Sequence, residues 1–546
     1  ELRIACPAQP TPPSRYREVA MRWFACLVLT LALSVMGCSG TDGAGGSAGD
    51  RGVGGVGGAA GMAGVGGIAG TGGAVDEWPT GTPESQGFDS GALATLIEEI
   101  DGTGVDGLVV VRNGVLILEA YFYPYARDDL HDVASVQKTV TSTLIGIAID
   151  QGLLSVDQPV MPLFETDYPH IPNVDGKFDI SVQHLLTMSS GLSSCFGESD
   201  GEAILKMRAT DDWVRHVLEL PMSYAPGAHM SYCTPTIQVL NGVLEKLSDT
   251  SALGFAWVQL FGPLRFPVVE WRSDPRGIVG DALLLRPRDM AKLGQLFLNG
   301  GTWSGERLIS SPWIAEATSP GDFLNYGYLW WLSPDRYEAV GIGGQSILVW
   351  PAANLVVAAT GGSGGPHWKS GLFDALRSDD ALPPNPAAYQ RLAAAIAEVR
   401  EPPPPQTPYL PPTSEEVSGR LYRLEPNRFG LYCFALNFDS GNQSEALIHA
   451  TMDVGGTIMT APLPVGLDGI LRFTGVTLDG FDIAMEGHWA SESFFSLRYF
   501  RVGGSAHTRI EADFGSDLST VQLQIRDETG YTPTESFGGV EVQSCF

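Results

Sequence analysis

At 546 residues the chain is too long for one ordinary domain, and an apolar content of 44% is enough to bury at least one sizeable core. Its formal charge of −29, from 62 acidic against 33 basic residues, argues against nucleic acid as a partner, because a phosphate-binding surface needs a basic patch. Six of the basic residues are lysines, so any lysine in a catalytic pattern stands out.

Residues 1–20 show no periodicity and read as an upstream or untranslated segment. Met21-Arg-Trp-Phe24 then supplies a short basic start, and Ala25 to Met36 is an apolar run too short to span a bilayer but suited to a signal peptide. It ends in Gly37-Cys38, which resembles a bacterial lipoprotein box. The expectation is a signal peptide over 21–37, a lipid on Cys38, and an address at the bacterial cell envelope, periplasmic or cell-surface, with the membrane as partner through that lipid. Residues 38–77 are mostly Gly and Ala and cannot bury enough surface to offset chain entropy, so they read as a tether.

The folded pattern begins at Trp78. A helix with Asp89 or Ser90 as cap carries Ala92, Leu93, Leu96, Ile97 and Ile100 on one face. Gly107–Arg112 and Val115–Phe122 are β-rich and joined by Asn113-Gly114, a hairpin turn signal. Helical stretches dominate from 135 to 315, with starts at Thr234-Pro235 and Arg286-Pro287. Strands return at Tyr326–Leu332, Gln345–Trp350 and Leu355–Thr360, and a helix follows over Trp368–Leu376. The fold class expected for 78–382 is α+β: an antiparallel sheet assembled from both ends of the domain and flanked by helices, with a helical subdomain between. Residues 383–413 are proline-dense and read as a linker with one helical stretch, Tyr389–Val399. From 414 to 546 strand-like alternation predicts a separate all-β barrel or sandwich.

Outside the N-terminal stretch lie Cys195, Cys233, Cys433 and Cys545, which allow three pairings. The simplest is one bridge per domain, Cys195–Cys233 and Cys433–Cys545, in an oxidising compartment; four buried free thiols is the alternative.

Ser135-Val-Gln-Lys138 is the only Ser-x-x-Lys in the chain. It opens an apolar helical run, so the two side chains share a face one turn apart. Serine needs a neighbouring base to attack, and a partly buried lysine can be that base. The N–H at this helix start is placed to receive a developing oxyanion. The ordinary alternative is a capping serine followed by a surface lysine.

Further segments carry a resemblance. Pro83-Glu-Ser-Gln-Gly87, Val133-Ala-Ser-Val-Gln-Lys-Thr139, His184-Leu-Leu-Thr-Met-Ser-Ser-Gly-Leu192, Pro226-Gly227 through Ser231-Tyr-Cys-Thr234, Pro287-Arg-Asp-Met-Ala-Lys-Leu-Gly294, Tyr326-Gly-Tyr-Leu-Trp-Trp331 and Gly341-Ile-Gly-Gly-Gln345 occur in order. Over about 79–380 the chain resembles the serine β-lactamase and penicillin-recognising superfamily, in its class C-like branch with esterases and 6-aminohexanoate-dimer hydrolase. The resemblance implies an acyl-enzyme on Ser135, with Lys138 and Tyr232 moving the proton. It implies Thr234 as a substrate-facing position, and Gly343, Gly344 and Gln345 as the oxyanion strand, with the second N–H from about Gln345. Two departures stand out: Thr234 replaces the usual Asn, and Ile342 replaces the Lys or His that helps hold a substrate carboxylate. No cofactor or metal is implied. The expected partner is a small-molecule ester or amide; the sequence leaves the oligomeric state open.

Other readings remain. β-Lactamase or D-Ala peptidase activity is one, and a non-catalytic surface binding protein with a relic pocket is another. Gly-x-Ser-x-Gly at Gly361–Gly365 raises an α/β-hydrolase with Ser363 as nucleophile, although Pro366 interrupts entry to the following helix. His184 and His229 read as packed or surface residues rather than metal ligands, since no His-x-x-x-His spacing is present.

Overall fold

The computed structural model describes Val65–Gly67 and residues 78–545, apart from 172–175, 194–198, 249, 322, 324, 364–366, 439–441, 455–456 and 479–480. The expected signal peptide, Cys38, nearly all of the tether, and Cys195 lie outside the described residues.

The first domain is built on a six-stranded antiparallel sheet. Its strands are β1 (Val105–Arg112), β2 (Val115–Tyr121), β3 (Trp331–Leu332), β4 (Tyr337–Val340), β5 (Ser346–Trp350) and β6 (Leu355–Gly361), in the order β2-β1-β6-β5-β4-β3. The two ends of the domain thus meet in the middle, where β6 pairs with β1. Both central residues of the β1–β2 turn have positive φ, Asn113 at 54° and Gly114 at 74°, as a two-residue hairpin demands.

Period-two alternation sends apolar side chains to both faces. Val109, Val111, Ile347, Val349, Val356 and Ala358 join one core, and Leu108, Val110, Leu348, Leu355, Val357 and Ala359 the other. Helix α1 (Ser90–Ile100), capped by Asp89 at the Gly91 and Ala92 N–H groups, covers the second face. The first face meets α5 (Pro287–Leu298) and α2 (Val136–Asp150), and α4 (Ile237–Leu247) packs behind it against α2. Helix α5 comes close because Gly294 faces the sheet: a Cβ there would lie 2.6 Å from Val356. Between α2 and α4 sits the shorter α3 (Asp200–Arg208), and α6 (Trp368–Ala375) returns to the second face.

Two expectations are revised. Of Tyr326–Leu332 only Trp331–Leu332 is strand, because Leu329 has φ 63° and its carbonyl accepts from Thr139 Oγ1, turning the segment into the core. Inside the proline-dense segment, helix Pro386–Glu398 packs Leu392 and Ala395 into the second core, so the open linker is the shorter stretch beyond it. Val65–Gly67, from the Gly/Ala-rich region, pairs with Glu270–Arg272 of a second small sheet.

The C-terminal domain has ten described strands, from Leu421–Leu424 to Glu535–Val542, in one antiparallel ladder; its end strand Thr457–Gly466 closes on Phe481–Trp489, next to the other end, through a parallel bridge between Gly466 and Glu486. This closure makes it a barrel rather than a sandwich. Its core is separate, with Tyr422, Phe434, Trp489, Phe495 and Phe514 at its centre. Cys433 and Cys545 are bridged, with Cα atoms 6.0 Å apart. Cys233 is buried and engaged in a disulfide.

Candidate active site

Helix α2 is buried along nearly its whole length, which fixes its first turn from all sides. Ser135 sits at its N-terminus with φ −68° and makes no side-chain cap hydrogen bond. Lys138, one turn on, is only 2% exposed, and its Nζ lies 2.7 Å from Ser135 Oγ. The capping-serine and surface-lysine alternative therefore fails on both counts. Other lysines behave differently: Lys246, Lys292 and Lys369 each rest against a carboxylate, at 2.6, 3.2 and 2.6 Å.

Half-buried Tyr232 turns its ring face to Lys138, with Nζ 5.0 Å from the ring centroid. The ring stacks on Trp331 at 5.7 Å and meets Tyr326 edge-on at 6.3 Å. Burial, with Tyr232 and Asp200 nearby, pushes the Tyr326 phenol well above its ordinary value, so it stays a neutral wall. The segment His184–Leu192 underlies the tyrosine box: Met188 O accepts from Ser231 N at 2.8 Å, and Ser189 O from Gly227 N at 2.8 Å. His184 Nδ1 accepts from the Ser181 N–H at the start of its own helix, a structural role.

Beneath the nucleophile, Asp132 Oδ1 accepts from Ala134 N at 2.9 Å. Ala134 has φ 48°, a left-handed turn that an alanine adopts only under constraint and that delivers Ser135 to the helix end. Burial raises the Asp132 carboxyl above the usual range, partly opposed by its bond to Ala134. Turn and cap hydrogen bonds use the N–H groups of Ala134, Val136 and Gln137 but not that of Ser135.

Across from it, Gly341, Gly343 and Gly344 lead into β5. Gly343 and Gly344 have φ 85° and 104°, and Gly341 N donates to Gln345 O at 2.8 Å. The Gln345 amide donates to the Gly361 carbonyl, locking this edge to β6. Turn bonds do not use the Gln345 N–H. Ile342 is partly exposed.

Thr234 differs from the sequence expectation of a substrate-facing hydroxyl. Its N–H and Oγ1 both donate to Asp200, at 2.6 Å each, so its polar groups are committed to a carboxylate in α3. The reason is local: Asp200 is the first residue of α3, held by the reciprocal Ser199–Glu202 cap. That Ser-x-x-Glu pattern is legible in the sequence and marks the helix start, but nothing in it signals contact with the tyrosine box. Asp132, Asp200 and Trp331 are the site neighbours that sequence reasoning did not assign.

Ser363 Oγ donates to Thr103 O at 3.1 Å. The strand before it, β6, is antiparallel to both neighbours, so the elbow of an α/β-hydrolase is absent here.

A match to the Beta-lactamase family spans residues 93–369, just over half of the chain. The chain is 24% identical over 355 residues to 6-aminohexanoate-dimer hydrolase of Paenarthrobacter ureafaciens, covering 57% of this chain and 88% of that one. Among solved structures, EstCE1, a hydrolase with promiscuous acyltransferase activity, superposes with a TM-score of 0.42 at 15% identity, covering 53% of this chain and 99% of that one. The octameric penicillin-binding protein homologue from Pyrococcus abyssi gives 0.39 at 15% identity, covering 82% and 100%.

Proposed function

The chain belongs to the Beta-lactamase family, and on that premise we propose that it cleaves an ester or amide through an acyl-enzyme on Ser135. The observation that carries this reading is the 2.7 Å approach of buried Lys138 Nζ to Ser135 Oγ. In the first step Ser135 Oγ gives its proton to the Lys138 amine and bonds to the substrate carbonyl carbon. The carbonyl oxygen becomes an oxyanion received by the N–H groups of Ser135 and Gln345. The carbon–leaving-group bond then breaks, and the leaving group takes a proton passed from Lys138 by way of Tyr232. Water attacks the resulting Ser135 ester, its proton passes along the same pair to Ser135 Oγ as the bond from Oγ to the acyl carbon breaks, and the acid is released.

The substrate is read as an uncharged acyl group. An aliphatic Ile342 cannot hold the carboxylate common to penicillin-like and D-Ala substrates, and Thr234 is occupied by Asp200. A relative named for hydrolysis of the 6-aminohexanoate dimer supports an amide, beside an ester, as the bond cleaved. From its Met21–Cys38 segment the protein is read as exported and lipid-anchored at the bacterial envelope.

Labelling with a fluorophosphonate, followed by a panel of p-nitrophenyl esters, nitrocefin, a D-Ala-D-Ala peptide and short linear amides, tests the proposal. We expect Ser135 to carry the label, esters or linear amides to turn over, and Ser135→Ala to lose at least about 10³-fold in kcat. No label on folded protein would favour a relic binding pocket, and preferential turnover of nitrocefin or the peptide would favour the penicillin-recognising alternatives.

A further inference from the structure

Three of the barrel's contacts with the hydrolase domain lie one contact away from a corner of the site. The first is Tyr531, in the turn before the last strand. Its hydroxyl donates to Asp200 Oδ2 at 2.6 Å, the same oxygen that accepts from Thr234 Oγ1. The Tyr531 ring lies on the first turn of α3, where a Cβ at Gly201 would come within 3.1 Å of it. Through Asp200 and Thr234 this reaches the tyrosine box, with Tyr232 two residues away.

The second is the loop Gly503–His507. Gly503 O accepts from Asp132 N at 2.7 Å, and Ser505 Oγ donates to Asp132 Oδ2 at 3.2 Å. Asp132 holds Ala134 in the left-handed turn that delivers the nucleophile. The third corner is the oxyanion edge: Ser505 O abuts Gly343 so closely that a Cβ there would lie 2.1 Å from it, and His507 N donates to Gly362 O at 2.9 Å. Apolar contacts of Phe481 with Ala282 and Leu284 anchor the same face.

We infer that the C-terminal barrel is a positioning element of the active site, with Tyr531 and Ser505 setting the tyrosine box and the nucleophile turn. None of these barrel residues has been placed against the reacting atoms; they act through Asp200, Asp132 and Gly343. Burial and the adjacent Asp200 carboxylate hold the Tyr531 phenol well above its ordinary value, so it remains a donor across the working range. The contacts fix the three corners, and a misplacement of about 1 Å can cost about 10²-fold in rate.

The inference rests on Ser135 as nucleophile, and the test keeps the two apart. In the full-length protein, Tyr531→Phe keeps the ring and removes one hydroxyl, and Ser505→Ala removes the other. Turnover of p-nitrophenyl butyrate is measured against active sites titrated with fluorophosphonate, which normalises for any unfolded fraction. Each variant is expected to lose about 10-fold or more in kcat per titrated site, with KM changed less than about twofold and Ser505→Thr restoring the rate. An unchanged kcat per site, whether or not the melting temperature falls, would overturn the inference and leave the barrel a purely stabilising or binding unit. Failure of the wild type to label at Ser135 would instead sink the proposed function itself.

Discussion

Lys138 and Lys292 are both buried lysines, 2% and 1% exposed, yet their surroundings assign them opposite tasks. Lys292 pairs with Asp289 one turn back in α5 and donates to the Arg265 carbonyl at 3.1 Å, which ties that helix to the segment before it. Lys138 faces a hydroxyl and the π-face of Tyr232. If Lys138 is the base, removing its amine removes the acceptor for the Ser135 proton. We therefore expect Lys138→Met, which keeps a long side chain in the same place, to cut kcat by about 10²-fold or more. Turnover of a neutral ester checks this; an unchanged rate would remove Lys138 as the base. The sequence singled out Ser135, Lys138 and Tyr232, and the fold brings the three side chains together; one helical turn and the order of the boxes carry that much. It did not place Asp200, whose link to Thr234 spans separate elements.

Among the elements, strands were readable where apolar alternation was uninterrupted, as in β1, β2, β5 and β6. In other strands the local chemistry argues otherwise. Thr457–Gly466 holds Pro462 and Pro464, and Glu535–Val542 holds Gly538 and Gly539, yet both pair along the barrel ladder. Their neighbours supply the hydrogen bonds that their own composition does not advertise. The last strand and the tail after it are tied back by Cys433–Cys545, which closes 112 residues. For a loop that long the chain-entropy contribution is about 4–5 kcal/mol. Cys433→Ser should lower the barrel's melting transition by about 15 °C in calorimetry, with reductant shifting the barrel transition of the wild type in the same direction. Equal transitions with and without reductant would show the bridge to be idle.

For the molecule as a whole, the domain interface carries a buried titratable group. His507, in the barrel, is 2% exposed, and its ring nitrogen lies 3.4 Å from the Tyr125 hydroxyl of the hydrolase domain. Burial holds the imidazole below its ordinary value; Arg498 adds to this, while Asp106, Glu528 and Asp527 oppose it. The folded state therefore disfavours protonated His507 relative to the unfolded chain. Its contribution is complete above the unfolded value of about 6.5 and is lost as pH falls from there toward the lowered folded value. We expect the melting temperature to drop between pH 7 and 5, and His507→Gln to flatten that slope. Parallel slopes for the two proteins would locate the acid sensitivity elsewhere.

What the sequence determined by itself was local or ordered along the chain. That includes the Asn113-Gly114 hairpin, the buried helix behind Ser135, the succession of boxes, and the all-β character of residues 414–546. Periodicity and turn chemistry act over a few residues, so they survive in a linear reading. The tertiary structure alone decided how Thr234 is used, why Ala134 accepts a left-handed turn, and that the barrel lies against the site. Each of those rests on a hydrogen bond or close approach between residues far apart in sequence: Asp200 to Thr234 and Tyr531, Asp132 to Ser505, and Gly343 to Ser505. Such contacts exist only once the sheet, the helices and the barrel have packed, because packing is what brings their partners within reach.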